Sequence, residues 1–141
     1  MVTNAEEKQP DSEGRVGDES LEGAILNRVR QLGLESDPAF MLELIDSYEP
    51  LIQKQLRNIQ DALSKKDSVK LHFAVHTLKG ACLNIGASRL AGSCKDIEEL
   101  AERKNMKAIQ ARIKGLDEEA ERTVRALSSI KTKLSSQKPS P

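Results

Sequence analysis

Residues 75–90 read VHTLKGACLNIGASRL. Within an apolar pattern that repeats at helical steps, His76 is followed by Lys79 and then by Gly80. A glycine in a helix interior costs about 1 kcal/mol relative to alanine, so something else must favour it here. A helical wheel shows what the residue adjoins. With Leu71 at the origin, Val75, Leu78, Cys82 and Ile85 all fall within roughly 40° and form a core stripe. On the same wheel Lys79, His72, Leu83, His76 and Gly80 follow at roughly 80°, 100°, 120°, 140° and 180°. His76 therefore faces away from the core, with Lys79 one turn along and a bare patch of backbone beside the ring.

That arrangement suits covalent phosphate carriage. The missing side chain at Gly80 lets a large partner bring a reacting atom up to the imidazole. The Lys79 ammonium supplies positive charge near a phosphoryl group carried there. The imidazole attacks a phosphoryl donor, becomes phosphohistidine and later hands the group on, while the protein positions groups and balances charge. A solvated histidine with no chemical task fits the same wheel. His72 and His76, four residues apart, face one side of the helix as two metal ligands would. No Glu follows His72 in the HExxH manner and no third ligand is evident, so no metal site is expected.

The rest of the chain narrows the fold. With two Phe, one Tyr and no Trp in 141 residues, the core must be built from Leu, Ile, Val and Ala, and a sheet is disfavoured. The 22 basic residues balance 22 acidic ones, which removes the broad basic field that nucleic-acid binding needs. No apolar run approaches membrane-spanning length and the N-terminus has no secretory pattern, so a cytoplasmic location is expected. Cys82 and Cys94 form no CxxC pair and read as small buried hydrophobes in a reducing compartment.

Residues 1–18 are polar and are expected to form a disordered tail, as are residues 136–141, leaving a domain at 19–135. Leu21, Ile25, Val29 and Leu32 mark a short first helix ended by Gly33. Asp37 caps the next, Pro38 fits its first turn, and its stripe runs from Phe40 and Met41 to Leu63, with Pro50 placed to kink or divide it. Asp67 or Ser68 caps the helix of the opening motif, and Gly86 ends it with a left-handed cap. A further helix spans about residues 88–103. After Asn105, another cap, one helix roughly 45 Å long runs to the C-terminal tail. Amphipathic helices with short connections predict an all-α antiparallel bundle with four main helices.

The string His76-Thr77-Leu78-Lys79-Gly80, followed by Gly86, Leu90, Cys94 and the pair Ile97-Glu98, resembles the signature of histidine-containing phosphotransfer (HPt) domains. The resemblance extends over about residues 20–130. It implies an all-α fold with an antiparallel four-helix bundle core and one or two additional short N-terminal helices. It also implies that His76 is phosphorylated, that Lys79 stabilises the phosphoryl group and that Gly80 admits a receiver domain. Glu98 matches a position where the family often places Gln or Glu near the ring. It lies about 80° from Leu90 on its own helix, within reach of the His76 Nδ1 proton, which would leave Nε2 free to react. Exposed Leu83 fits a docking surface, and Lys70, Arg89 and Lys95 are placed to complement an acidic receiver pocket.

The expected activity is that of a phosphorelay carrier that passes a phosphoryl group between receiver-domain aspartates. No phosphate-binding glycine loop equips the chain as a kinase. The Mg²⁺ for transfer would sit in the receiver, so no cofactor is expected here, and the partners are receiver domains of response regulators or hybrid kinases. A monomer is expected. Two alternatives stand beside it: the phosphoacceptor domain of a chemotaxis-type or hybrid sensor kinase, and a helical scaffold that is never phosphorylated. Met1 and the polar tail favour a free-standing protein.

Overall fold

A computed structural model describes residues 17–32 and 37–137. The described residues form α1 (Gly17–Gln31), α2 (Pro38–Ser64), α3 (Ser68–Ile85), α4 (Ser88–Glu102) and α5 (Met106–Gln137), with no strand among them. The expected tails lie outside the described residues, except that Gly17 and Asp18 begin α1 and Ser136 and Gln137 end α5. The expected end of the first helix at Gly33 is also outside them.

The helix starts obey local chemistry. Asp37 Oδ1 accepts from the Phe40 N–H at 3.1 Å, Asp67 Oδ1 from the Lys70 N–H at 3.0 Å, and Asn105 Oδ1 from the Ala108 N–H at 3.1 Å. Each satisfies a donor that the first helical turn leaves unpaired. Of the two cap candidates before α3, Asp67 is the cap. Pro50 lies inside α2 without dividing it. Its ring removes one backbone donor, and the buried residues on both sides keep the helix continuous.

In the bundle α2 packs on α3, α3 on α4, α4 on α5 and α5 back on α2, while α1 packs on α3 and α5. Short connections make neighbours in this ring antiparallel. α1 rests where α3 and α5 end: Arg28 Nε donates to the Asn84 carbonyl at 3.0 Å, and Lys133 Nζ donates to Glu22 Oε1 at 2.7 Å. With 32 residues, α5 is about 48 Å long and spans the whole bundle.

Fully buried Ile45, Ile59, Leu71, Leu78, Ile97, Ile109 and Leu127 belong to the core, a Leu- and Ile-built interior as the composition predicts. The α3 stripe of Leu71, Val75, Leu78, Cys82 and Ile85 is buried throughout. Two residues assigned to apolar stripes are not. Leu32 lies just past the end of α1, and Phe40 sits about 100° around α2 from buried Met41, so both are exposed. Cys82 and Cys94 are free and buried, and the hydrogen bond that the Cys82 thiol makes to Cys94, together with burial, pushes that thiol up. A thiol held protonated in this way is packing, not a nucleophile.

Gly86 ends α3 at φ +82°, where Ala87 N–H reaches the Cys82 carbonyl at 2.9 Å. A Cβ added there would stand 2.9 Å from the Ala24 carbonyl oxygen of α1. Both backbone conformation and close approach thus require glycine. Gly86→Ala is expected to lower the unfolding free energy by about 2 kcal/mol or more, measured as a drop in urea midpoint at unchanged slope.

Candidate functional site

His76 stands halfway along α3 on the side away from the core stripe, and its side chain is 62% exposed. Its Nδ1 lies 2.5 Å from Oε2 of Glu98 on α4. A carboxylate only accepts, so Nδ1 carries the proton and donates it. That tautomer leaves the lone pair on Nε2. Lys79, one turn along α3, donates from Nζ to Oε1 of the same carboxylate at 2.6 Å.

Glu98 is 7% exposed and is one of the few buried polar residues among those described. Burial pushes its carboxyl up, but the hydrogen bonds from Lys79 and His76 and their charges outweigh burial and hold it below the ordinary carboxylate value. The carboxylate is therefore ionised at neutral pH, with each oxygen engaged by a different α3 side chain.

Gly80 follows Lys79 on the outward side of α3. A Cβ added there would meet nothing within 4 Å outside its own helix. The protein's own packing therefore gives no reason for glycine at this position. Gly23, Gly92 and Gly115 are open in the same way, but only Gly80 lies beside the imidazole of His76.

His76, Lys79, Gly80 and Glu98 thus form one constellation. Leu83 lies on the same face of α3 and is 57% exposed. Lys70 is exposed at the rim of a groove of about 550 Å³ between α2 and α3, with Asn58, Asp61, Val69 and Phe73 around it. Lys95 is exposed on α4, one turn before Glu98. Arg89 does not join them: it faces α5, where its Nη2 pairs with Glu119 Oε2 at 2.9 Å. On α4 it points about 180° from Glu98, an angle readable from the sequence once Glu98 is fixed as the inward reference.

Sequence reasoning overlooked two apolar members of this face. Val69 and Phe73 are 75% and 71% exposed on α3. Both fall within roughly 60° of His76 on the wheel, and that position is the signal that marks them as exposed. It also treated His72 only as a possible metal ligand. His72 Nε2 lies 3.2 Å from Glu102 Oε2 and 3.7 Å from Glu98 Oε2, and its ring is parallel to that of His76. Among the described residues no group of three or more His, Cys, Asp or Glu side chains is arranged to hold a metal ion. No described helix is long and apolar enough to cross a membrane.

The depressed Glu98 carboxyl carries a sign. A group whose folded pKa lies below its unfolded one contributes stability above the unfolded value and loses it as the pH falls through the folded value. The stability gap between the wild type and Glu98→Gln should therefore narrow between pH 7 and about pH 3, as read by urea unfolding at the two pH values.

A family model described as Hpt domain matches residues 43–126, more than half of the chain. Among solved structures, the crystal structure of histidine-containing phosphotransfer protein B from Pseudomonas aeruginosa PAO1 is similar. It superposes with a TM-score of 0.70 at 26% sequence identity, over 76% of this chain and 92% of that one. A search of curated proteins finds no match. The bundle, the outward histidine with its carboxylate and the match over residues 43–126 agree, and the chain belongs to the Hpt family of histidine phosphotransfer domains.

Proposed function

We propose that His76 is the phosphoacceptor of this phosphotransfer protein and that it exchanges the group with aspartates of receiver domains. One observation carries the assignment. An exposed imidazole has its Nδ1 proton held by a buried carboxylate, which aims the free Nε2 at solvent beside an unfilled glycine.

The transfer follows from that geometry. The Nε2 lone pair attacks the phosphorus of an aspartyl phosphate. The N–P bond forms as the acyl O–P bond breaks, and the aspartate leaves as a carboxylate. The proton stays on Nδ1, and the Glu98 carboxylate balances the positive charge the ring acquires. Lys79, anchored on Glu98 one turn along from His76, adds a positive charge close to the ring that carries the phosphoryl group. The reverse steps return the group to a second aspartate. Mg²⁺ belongs to the receiver's aspartate pocket in this scheme. The chain carries the phosphoryl group and does not generate it from a nucleotide.

The receiver docks on the outward face of α3. Val69, Phe73 and Leu83 offer apolar contact around His76, and Lys70 and Lys95 offer charge at its edges. Free, buried Cys82 and Cys94 are in keeping with a reducing cytoplasm.

His76→Gln should abolish acid-labile, base-stable labelling from a phosphorylated receiver. Label that persists in the variant assigns the acceptor elsewhere. At Gly80 stability and function should move in opposite directions. Gly80→Ala should raise the unfolding free energy by about 0.5–1 kcal/mol, because nothing opposes the added methyl. Gly80→Gln should fold equally well and slow transfer on the order of 10- to 100-fold by displacing the incoming receiver, as stopped-flow kinetics would record.

A further inference from the structure

His72 precedes His76 by one turn of α3, and its side chain is 34% exposed. The two rings are parallel to within 5°, with centroids 6.2 Å apart. Both reach toward the same edge of α4. Glu98 has two oxygens and three cationic or N–H neighbours: Lys79 holds Oε1 at 2.6 Å, while Oε2 lies 2.5 Å from His76 Nδ1 and 3.7 Å from His72 Nε2. His72 Nε2 is held off Oε2 by its own bond to Glu102 Oε2 at 3.2 Å. Lys104, just past the end of α4, lines the shallow pocket beside His72 with Ser68, Val69, Ala101 and Glu102. The charged or titratable groups on this side of His72 are thus Glu98, Glu102 and Lys104 from the α4 side and His76 from its own helix.

We propose that His72 is a positioning residue that competes with His76 for Oε2 of Glu98: a neutral His72 leaves that oxygen on Nδ1, and a protonated His72 draws it away. The inference rests on His76 being the acceptor. An uncharged His72 donates its Nε2 proton to Glu102 and leaves Glu98 Oε2 to His76. A protonated His72 adds a full positive charge 3.7 Å from the contested oxygen and places a second cation next to the attacking ring. The Nδ1 bond then weakens, and with it the orientation and charge balance of the nucleophile.

Two variants separate donor from charge. His72→Gln keeps a neutral N–H donor toward Glu102 but cannot be protonated, and His72→Ala removes both. Transfer rates from one phosphorylated receiver, measured for all proteins at each pH from 6 to 8, cancel the receiver's own titration in their ratios. At pH 8 the wild type, His72→Gln and His72→Ala should transfer at rates within about twofold of one another, because an uncharged or absent side chain leaves Oε2 to His76. At pH 6 the wild type should fall below His72→Gln. In a Glu98→Gln background the effect of His72→Ala should vanish, because the contested carboxylate is gone. A wild-type to His72→Gln ratio that stays constant across the pH range overturns the proposal. So does a difference between His72 and His72→Ala at pH 6 that persists in the Glu98→Gln background. The His76→Gln protein in the same assay keeps the two readings apart. Label that survives there overturns His76 as acceptor, whereas label lost there with a constant ratio overturns only the role of His72.

Discussion

The carboxylate of Glu98 is the constraint on which the site depends. An ionised group 7% exposed at a helix interface costs several kcal/mol unless each of its oxygens is partnered. Both partners come from α3, and they are His76 and Lys79. Satisfying the carboxylate therefore fixes three things together: which nitrogen of the imidazole carries the proton, where the ammonium rests, and how α4 is set against α3. The two-residue connection at Gly86 and Ala87 leaves little freedom to change that setting. Orientation of the His76 ring is in this sense a by-product of burying a charge properly.

The two glycines of the opening stretch divide the labour differently. Gly86 answers to the protein's own backbone, through a left-handed conformation and the Ala24 carbonyl pressed against it. At Gly80 an added Cβ would meet nothing within 4 Å among the described residues, as at the helical Gly23, Gly92 and Gly115, so crowding does not require it. What sets Gly80 apart is its place beside the exposed His76 ring, and the docking proposed on that face accounts for it. The exposed apolar side chains of Val69, Phe73 and Leu83 on the same face point the same way, since they too are costly to leave wet.

Much of this was legible in the sequence because helices are periodic and their ends are chemically marked. The α3 stripe, the caps at Asp37, Asp67 and Asn105 and the outward position of His76 all follow from spacing and residue type. The fate of Pro50 was open, since whether a proline kinks or divides a helix depends on what packs on either side. Phe40 and Leu32 are apolar yet exposed, because periodicity gives an angle and not the extent of the neighbouring surface. Arg89 was grouped with the site by charge alone, and its partner Glu119 lies on a helix that no local pattern relates to it. His72 is the clearest case: its spacing from His76 was plain, but the carboxylates that give it meaning belong to α4.

His76 and Glu98 are separated by only 22 residues and sit on the two arms of one helical hairpin. Contacts of such short sequence separation close early and at small entropic cost during folding. The chemistry is therefore assembled by a local cassette, while α2 and α5 serve as the buttress that keeps it closed. Substitutions in the buttress can accumulate with little effect on how ring and carboxylate meet, so the hairpin that carries them can stay constant while the outer helices diverge.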